Sequence, residues 1–354
     1  MRAFFRSSHA VLGGRMPNLK ALLLGTMLAS LAACAAPEEH GCRVGTLGTL
    51  PVLNTHGSPL VHVTINGRRV IMLVDSGAEF STLSRRAVKT LGLSALPGDL
   101  WMHGVGGSYA AIPYKIDTLG LGTGTTHDVL VLDSPGDIGT FHGEPVVGLF
   151  GSDFLSSYDV VFDLQKQTIN LYDEVKDCPS PTPLWDGPNA KVDMVPEDHN
   201  RIGLDIKLNN TRSIDALLDS GAFRTVVTER HAHRAGVTQE QLEADPLSIS
   251  GGIDEHKVRG HVHRFSSLQI GTETFDQPVL EVSRIKTDGT ALLGADFLRH
   301  NRVWVSRHDR AIYFQRLVTP PQKDMTFELS VPADPIKRRA EVAQPPPSLV
   351  RKTQ

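Results

Sequence analysis

The chain has 354 residues, enough for two ordinary domains and a tail. Hydrophobic residues make up 40% and charged residues 21%, the proportions of a globular protein, and a formal net charge of −3 is too small to argue for nucleic acid or a strongly charged partner. With 32 glycines, 22 prolines and only 6% aromatic residues, the composition favours many short strands and turns over long helices.

Residues 1–33 read as a targeting segment. Arg2, Arg6, Arg15 and Lys20 supply positive charge, and the apolar run 21–31 is too short for a comfortable membrane span. The run ends in Leu31-Ala32-Ala33-Cys34, which resembles the bacterial lipobox. That resemblance implies an acylated Cys34 as mature N-terminus, and so an exported lipoprotein anchored on the periplasmic side of a bacterial membrane. Translation from Met16, and ordinary signal cleavage with Cys34 incidental, stay open. Only Cys42 and Cys178 then remain. An exported pair can form a disulfide tying the N-terminal arm to the middle of the chain, and two unpaired thiols are the alternative.

Residues 34–57 show no strong period and are expected to be a tether. From residue 58 the pattern is β: Val61, Val63 and Ile65 alternate with His62 and Thr64, Asn66-Gly67 predicts a hairpin turn, and residues 70–74 form a continuous apolar run that delivers Asp75. Ser84 is placed to cap a helix over 85–91, and Gly92 to end it. Gly104, Gly106 and Gly107 mark a glycine-rich hairpin within 101–109. Strands are expected at 111–116 and 128–132, and 160–163 with 168–172 close a first lobe spanning 58–175 as a hairpin. Five prolines make 176–198 a linker. A second lobe, 199–318, restarts the pattern and carries Leu217-Leu218-Asp219-Ser220-Gly221-Ala222, the counterpart of Leu73-Val74-Asp75-Ser76-Gly77-Ala78. Residues 319–354, with Lys337-Arg338-Arg339 and prolines at 345–347, read as a disordered, solvated tail.

The offsets show that this is a duplication. Asp75 to Gly92 and Asp219 to Gly236 are both 17 positions; Asp75 to Gly106 is 31 and Asp219 to Gly251 is 32; Asp75 to Gly151 is 76 and Asp219 to Gly294 is 75. Two such copies are expected to pack about a pseudo-twofold axis, which makes one chain an internal pseudo-dimer and a monomer sufficient.

The doubled pattern resembles the aspartic peptidases, particularly the retropepsin-like families. It runs apolar-apolar-Asp-Ser-Gly-Ala, then flap glycines, then an apolar-apolar-Gly phrase ending at Gly151 and at Gly294. The resemblance implies a mostly β fold of two acid-protease-like lobes with an active site in the interlobe cleft. It implies Asp75 and Asp219 as catalytic dyad, with Ser76, Gly77, Ser220 and Gly221 supporting it. It also implies two flaps at 101–109 and 248–255, with Gly104, Gly106, Gly107, Gly251 and Gly252 over an extended protein or peptide substrate. No metal or organic cofactor is implied. The sequence departs from the viral enzymes in having Ser152 and Ala295, not Arg, after the glycine; Asp153 and Asp296 are expected to cap the helix turn that follows.

Physics supplies the reason for the pairing. Two carboxylates held close share a proton, so one can act as base toward a water while the other, protonated, hydrogen-bonds the scissile carbonyl. The alternatives are a catalytically silent peptide-binding or scaffold lipoprotein of the same fold, and a peptidase that processes only itself. His261 and His263 share a strand face and His231 and His233 lie in a helical segment, but neither pair has an evident third metal ligand.

Overall fold

The computed structural model describes residues 43–104, 107–176, 185, 187–251, 257–284 and 290–317. Among these the architecture is mostly β, arranged as two lobes joined by a shared sheet.

The first lobe grows from the alternation seen in sequence. Leu60–Ile65 and Arg68–Val74 pair as an antiparallel hairpin through Asn66 and Gly67, whose φ values of 47° and 80° suit the tight turn. Val61, Val63 and Ile65 point inward and are buried. The sheet runs on through Pro113–Leu121, Gly124–Ser134, Thr82–Ser84 and Glu144–Phe150, which pairs in parallel with Arg68–Val74 and closes the lobe into a barrel. The helix Arg85–Leu91 begins at Ser84, whose side chain accepts from the Ala87 N–H, and stops at Gly92 with φ 69°.

The second lobe repeats this with Ile202–Leu208, Ile214–Leu218, Val226–Thr228 and Ala291–Leu293, the last parallel to Ile214–Leu218. Thr228 caps the helix Glu229–Arg234 by accepting from the His231 N–H. The strand path in this lobe does not close among the described residues. Where the first lobe has two long strands, the second has Lys257–Arg264 and Ser267–Ile270 facing Glu273–Asp276 and Val279–Ser283. The interruptions fall at Phe265-Ser266 and Gln277-Pro278, where Gln277 has φ 48° and proline offers no N–H.

A six-stranded antiparallel sheet unites the lobes. Its order is Arg43–Pro51, Thr168–Lys176, Asp159–Asp163, Asn301–Ser306, Ala311–Arg316, Ala190–Asp193. The closing hairpins of the two lobes pair at the centre, Val161 opposite Trp304, and each is flanked by the strand that precedes its own lobe. Two sequence expectations are corrected here. The tether of 34–57 contains the strand Arg43–Pro51, and the linker of 176–198 contains Ala190–Asp193. The first escaped notice because its glycines and bulges near Gly45 and Thr46 break the alternation, the second because four residues among prolines carry too little period.

Candidate active site

Each lobe ends its central strand at an aspartate. The Asp75 N–H donates to Phe150 O and the Asp219 N–H to Leu293 O, both at 2.9 Å, so each carboxylate is fixed by a parallel strand pair. The loop then folds back on its own side chain. Gly77 and Ala78 N–H donate to Asp75 Oδ1 at 3.1 and 3.0 Å, and Gly221 and Ala222 N–H to Asp219 Oδ1 at 2.9 and 3.0 Å.

The loops are locked across the axis by the two serines. Ser76 Oγ donates to Leu218 O at 2.6 Å and accepts from the Ser220 N–H at 3.0 Å; Ser220 Oγ donates to Val74 O at 2.7 Å and accepts from the Ser76 N–H at 3.0 Å. Both serines are fully buried. The glycines explain themselves by close approach: a Cβ on Gly77 would lie closer than 3.0 Å to the Asp219 carboxyl, and one on Gly221 equally close to that of Asp75. Each carboxyl is therefore seated on the opposite lobe's glycine.

The two carboxyls are hydrogen-bonded to each other. Burial, then the charge of Asp219, pushes Asp75 well above the usual carboxylate range, against the opposing N–H groups of Ala78 and Gly77. Burial also raises Asp219, held back by the Ala222 N–H, the bond from Asp75, the Gly221 N–H and the positive charge of Arg201. The two carboxyls are coupled, and the pair titrates as a unit.

Other residues buttress these loops. Asp153 and Asp296, expected to cap the following helix turns, do something broader. Gly151 and Gly294 occupy the cap positions. Each carboxylate satisfies one first-turn N–H, of Phe154 or Phe297, but also accepts from the backbone and hydroxyl of Ser81 or Thr225. Those hydroxyls in turn accept from the Gly151 and Gly294 N–H. Ser81 and Thr225 both lie six residues beyond their aspartate, a recurrence visible in sequence but passed over. Cross-lobe clasps had no sequence signal. Ser58 Oγ donates to Gly221 O at 2.7 Å, Ser152 Oγ to His199 O at 2.7 Å, and Glu79 lies 3.3 Å from His199 Nδ1 and 3.8 Å from Arg201 Nη1.

The flap expectations fall on two hairpins. Leu100–Gly104 pairs with Gly107–Ala111 as a separate two-stranded ribbon, and Leu247–Gly251 with Lys257–Arg264 at the edge of the second lobe's sheet. Gly104, Gly107 and Gly251 thus lie on hairpin strands, while Gly106 and Gly252 lie outside the described residues, as do Cys34, Cys42 and Cys178. His263 Nδ1 is 2.6 Å from Asp245 Oδ2, and no group of three possible metal ligands converges among the described residues.

The comparisons agree with this geometry. Residues 61–157 match the family described as "gag-polyprotein putative aspartyl protease", and residues 204–297 the family described as "Aspartyl protease". Each half of the duplication is thus similar to an aspartyl-protease family, by two separate matches that each span about a quarter of the chain. Among solved structures it resembles the aspartic proteinase from Irpex lacteus, at 13% identity and a TM-score of 0.50, over 77% of this chain and 97% of that one. That likeness is one of fold. No curated protein matches the chain.

Proposed function

We propose that the protein is an aspartic endopeptidase with Asp75 and Asp219 as its catalytic dyad. The observation that carries the reading is the pair of half-buried, mutually hydrogen-bonded carboxyls, each seated against the opposite lobe's glycine. In this reading the ionised member of the pair takes a proton from a water held between them. The protonated member hydrogen-bonds the scissile carbonyl oxygen, and attack gives a gem-diol without any covalent bond to the enzyme. The rigid seating of both side chains supports this role, because a dyad of this kind works by position more than by flexibility. Extended peptide would bind by main-chain hydrogen bonds beneath the two hairpins.

Single Asp75→Asn and Asp219→Asn variants, assayed against a peptide library, are expected to lose about a thousandfold or more in cleavage. Undiminished cleavage in either variant would falsify the mechanism. We further propose export and lipid anchoring through Cys34, a reading that rests on the residues around it alone. Metabolic acyl labelling should appear on the wild-type protein and vanish in Cys34→Ala; labelling that persists in the variant refutes it.

A further inference from the structure

The pseudo-twofold axis makes each lobe a control for the other, and the turns of the two opening hairpins, at the strand ends away from the dyad, do not obey it. Arg68 and Arg212 each lie seven residues before their aspartate, and Thr90 and Arg234 each lie fifteen residues after it. In the first lobe the hairpin turns tightly, with Asn66 and Gly67 between the paired Ile65 and Arg68. Arg68 Nη1 donates to Thr90 O near the end of the helix Arg85–Leu91, so that guanidinium is tied into the fold.

In the second lobe the same corner is open. The strands part after the Ile206–Ile214 pair, and residues 207–213 make a wider turn. That turn is held in place from several directions. The Thr211 N–H donates to Leu208 O at 2.8 Å, Asn209 Nδ2 to Ala235 O at 2.9 Å, and the Ser266 and Ser267 N–H groups to Asn209 Oδ1 at 2.9 and 3.2 Å. Beside it lies an open cavity of about 710 Å³, lined by Asn210, Thr211, Arg212, Ser213, Ile214 and Arg234. Among the described residues no carboxylate lines it, and neither guanidinium has a hydrogen-bond or ion-pair partner. The Thr211 hydroxyl makes one long bond, 3.5 Å, to Arg212 O. His231, one turn before Arg234, registers the local charge. It is 3% exposed with Nδ1 unpartnered, and burial, then the positive charges of Arg230 and Arg234, push its pKa down, with Asp215 opposing.

We propose that this cavity binds a phosphate-type oxyanion, with Arg212 and Arg234 as its two charged donors. Two guanidiniums, the hydroxyls of Thr211 and Ser213 and the Asn210 amide offer more donors than the two oxygens of a carboxylate can accept, whereas a tetrahedral oxyanion presents an acceptor in each direction. Such an anion gives each arginine the charge-assisted partner that Arg68 finds in Thr90 O and that the second lobe does not supply. The cavity is wider than a bare ion, so the phosphate is one carried on an organic group, either a soluble phosphomonoester or a lipid headgroup. The site lies apart from the dyad and does not depend on the endopeptidase reading.

The test is calorimetric titration of the full chain with inorganic phosphate at constant ionic strength. Saturable binding is expected, weakened about tenfold or more in Arg212→Gln and again in Arg234→Gln, the effect of losing one hydrogen bond to a charged group. Arg68→Gln, at the matched position of the first lobe, should bind phosphate as the wild type does. So should Asp75→Asn, which keeps the fate of this site separate from that of the catalytic reading. Vesicles distinguish the two sources. Phosphatidylglycerol vesicles that retain the wild-type chain better than the Arg212→Gln/Arg234→Gln double variant, with no such difference on phosphatidylcholine, support a headgroup. Phosphate binding without that difference supports a soluble phosphomonoester. Phosphate that does not saturate, that binds both arginine variants as tightly as the wild type, or that is lost equally in Arg68→Gln overturns the proposal, whatever the vesicles show.

Discussion

The two lobes agree to within a few tenths of an ångström in how they hold an aspartate, and disagree in what surrounds it. Backbone bonds to Asp75 and Asp219, the reciprocal serines, and the Ser81–Asp153 and Thr225–Asp296 braces are copies of one design. Among the described residues the barrel closes in the first lobe only, the hairpin is separate in one and part of a sheet in the other, and the places that Glu79 and Phe80 take after Asp75 are taken by Phe223 and Arg224 after Asp219. Symmetry is kept where a shared proton demands matched geometry. It is relaxed in the two residues that precede Ser81 and Thr225.

The strongest way to break this comparison is at the glycines. Gly77→Ala and Gly221→Ala each drive a methyl into the other lobe's carboxyl. Each is expected to cost about 1–3 kcal/mol of stability by overpacking. Peptide cleavage should fall about a hundredfold in both, since a small displacement of a reacting group is enough. A large loss in one variant and none in the other would show that the dyad is not symmetric where it matters most.

The serines come next. Ser76→Ala and Ser220→Ala each remove a hydroxyl that donates once and accepts once across the axis, leaving buried backbone groups unpaired. Urea denaturation should show losses of about 1–3 kcal/mol, equal for the two within error.

The dyad also sets a pH signature. Burial raises the pKa of both carboxyls, so their contribution to stability is fully present below the unfolded Asp value of about 3.9 and is lost as pH rises through the folded values. Asp75→Asn should therefore raise Tm at neutral pH and leave it unchanged near pH 3. Asp219→Asn should shift Tm in the same direction. Thermal melts at the two pH values check both statements, and a destabilised Asp75→Asn at neutral pH contradicts them.

The smallest effect expected is at the helix caps. Ser84→Ala and Thr228→Ala should each cost about 1 kcal/mol, again equally.

Much of this was legible in the residues. Alternation and the Asn66-Gly67 turn located the first hairpin, and the doubled Asp-Ser-Gly-Ala phrase located both loops, because period and turn chemistry are local properties. The caps at Ser84 and Thr228 were legible for the same reason. What escaped was long-range. Nothing near Val161 or Trp304 in sequence says that they face each other across 142 intervening positions. The strands Arg43–Pro51 and Ala190–Asp193 were hidden because edge strands owe their place to partners and not to pattern. Ser58 and the Glu79 clasp were hidden because a single polar contact between distant segments leaves no period.

The shared six-stranded sheet has one more consequence. It aligns the halves through main-chain groups, which are indifferent to side-chain identity. A pair of separate identical subunits must change both copies at once, so any improvement on one side of the cleft is imposed on the other. Fused through a ladder of peptide groups, these halves can drift independently while the register between them is preserved. Glu79 opposite Phe223 is the kind of divergence that only such a covalent, backbone-registered union allows to accumulate.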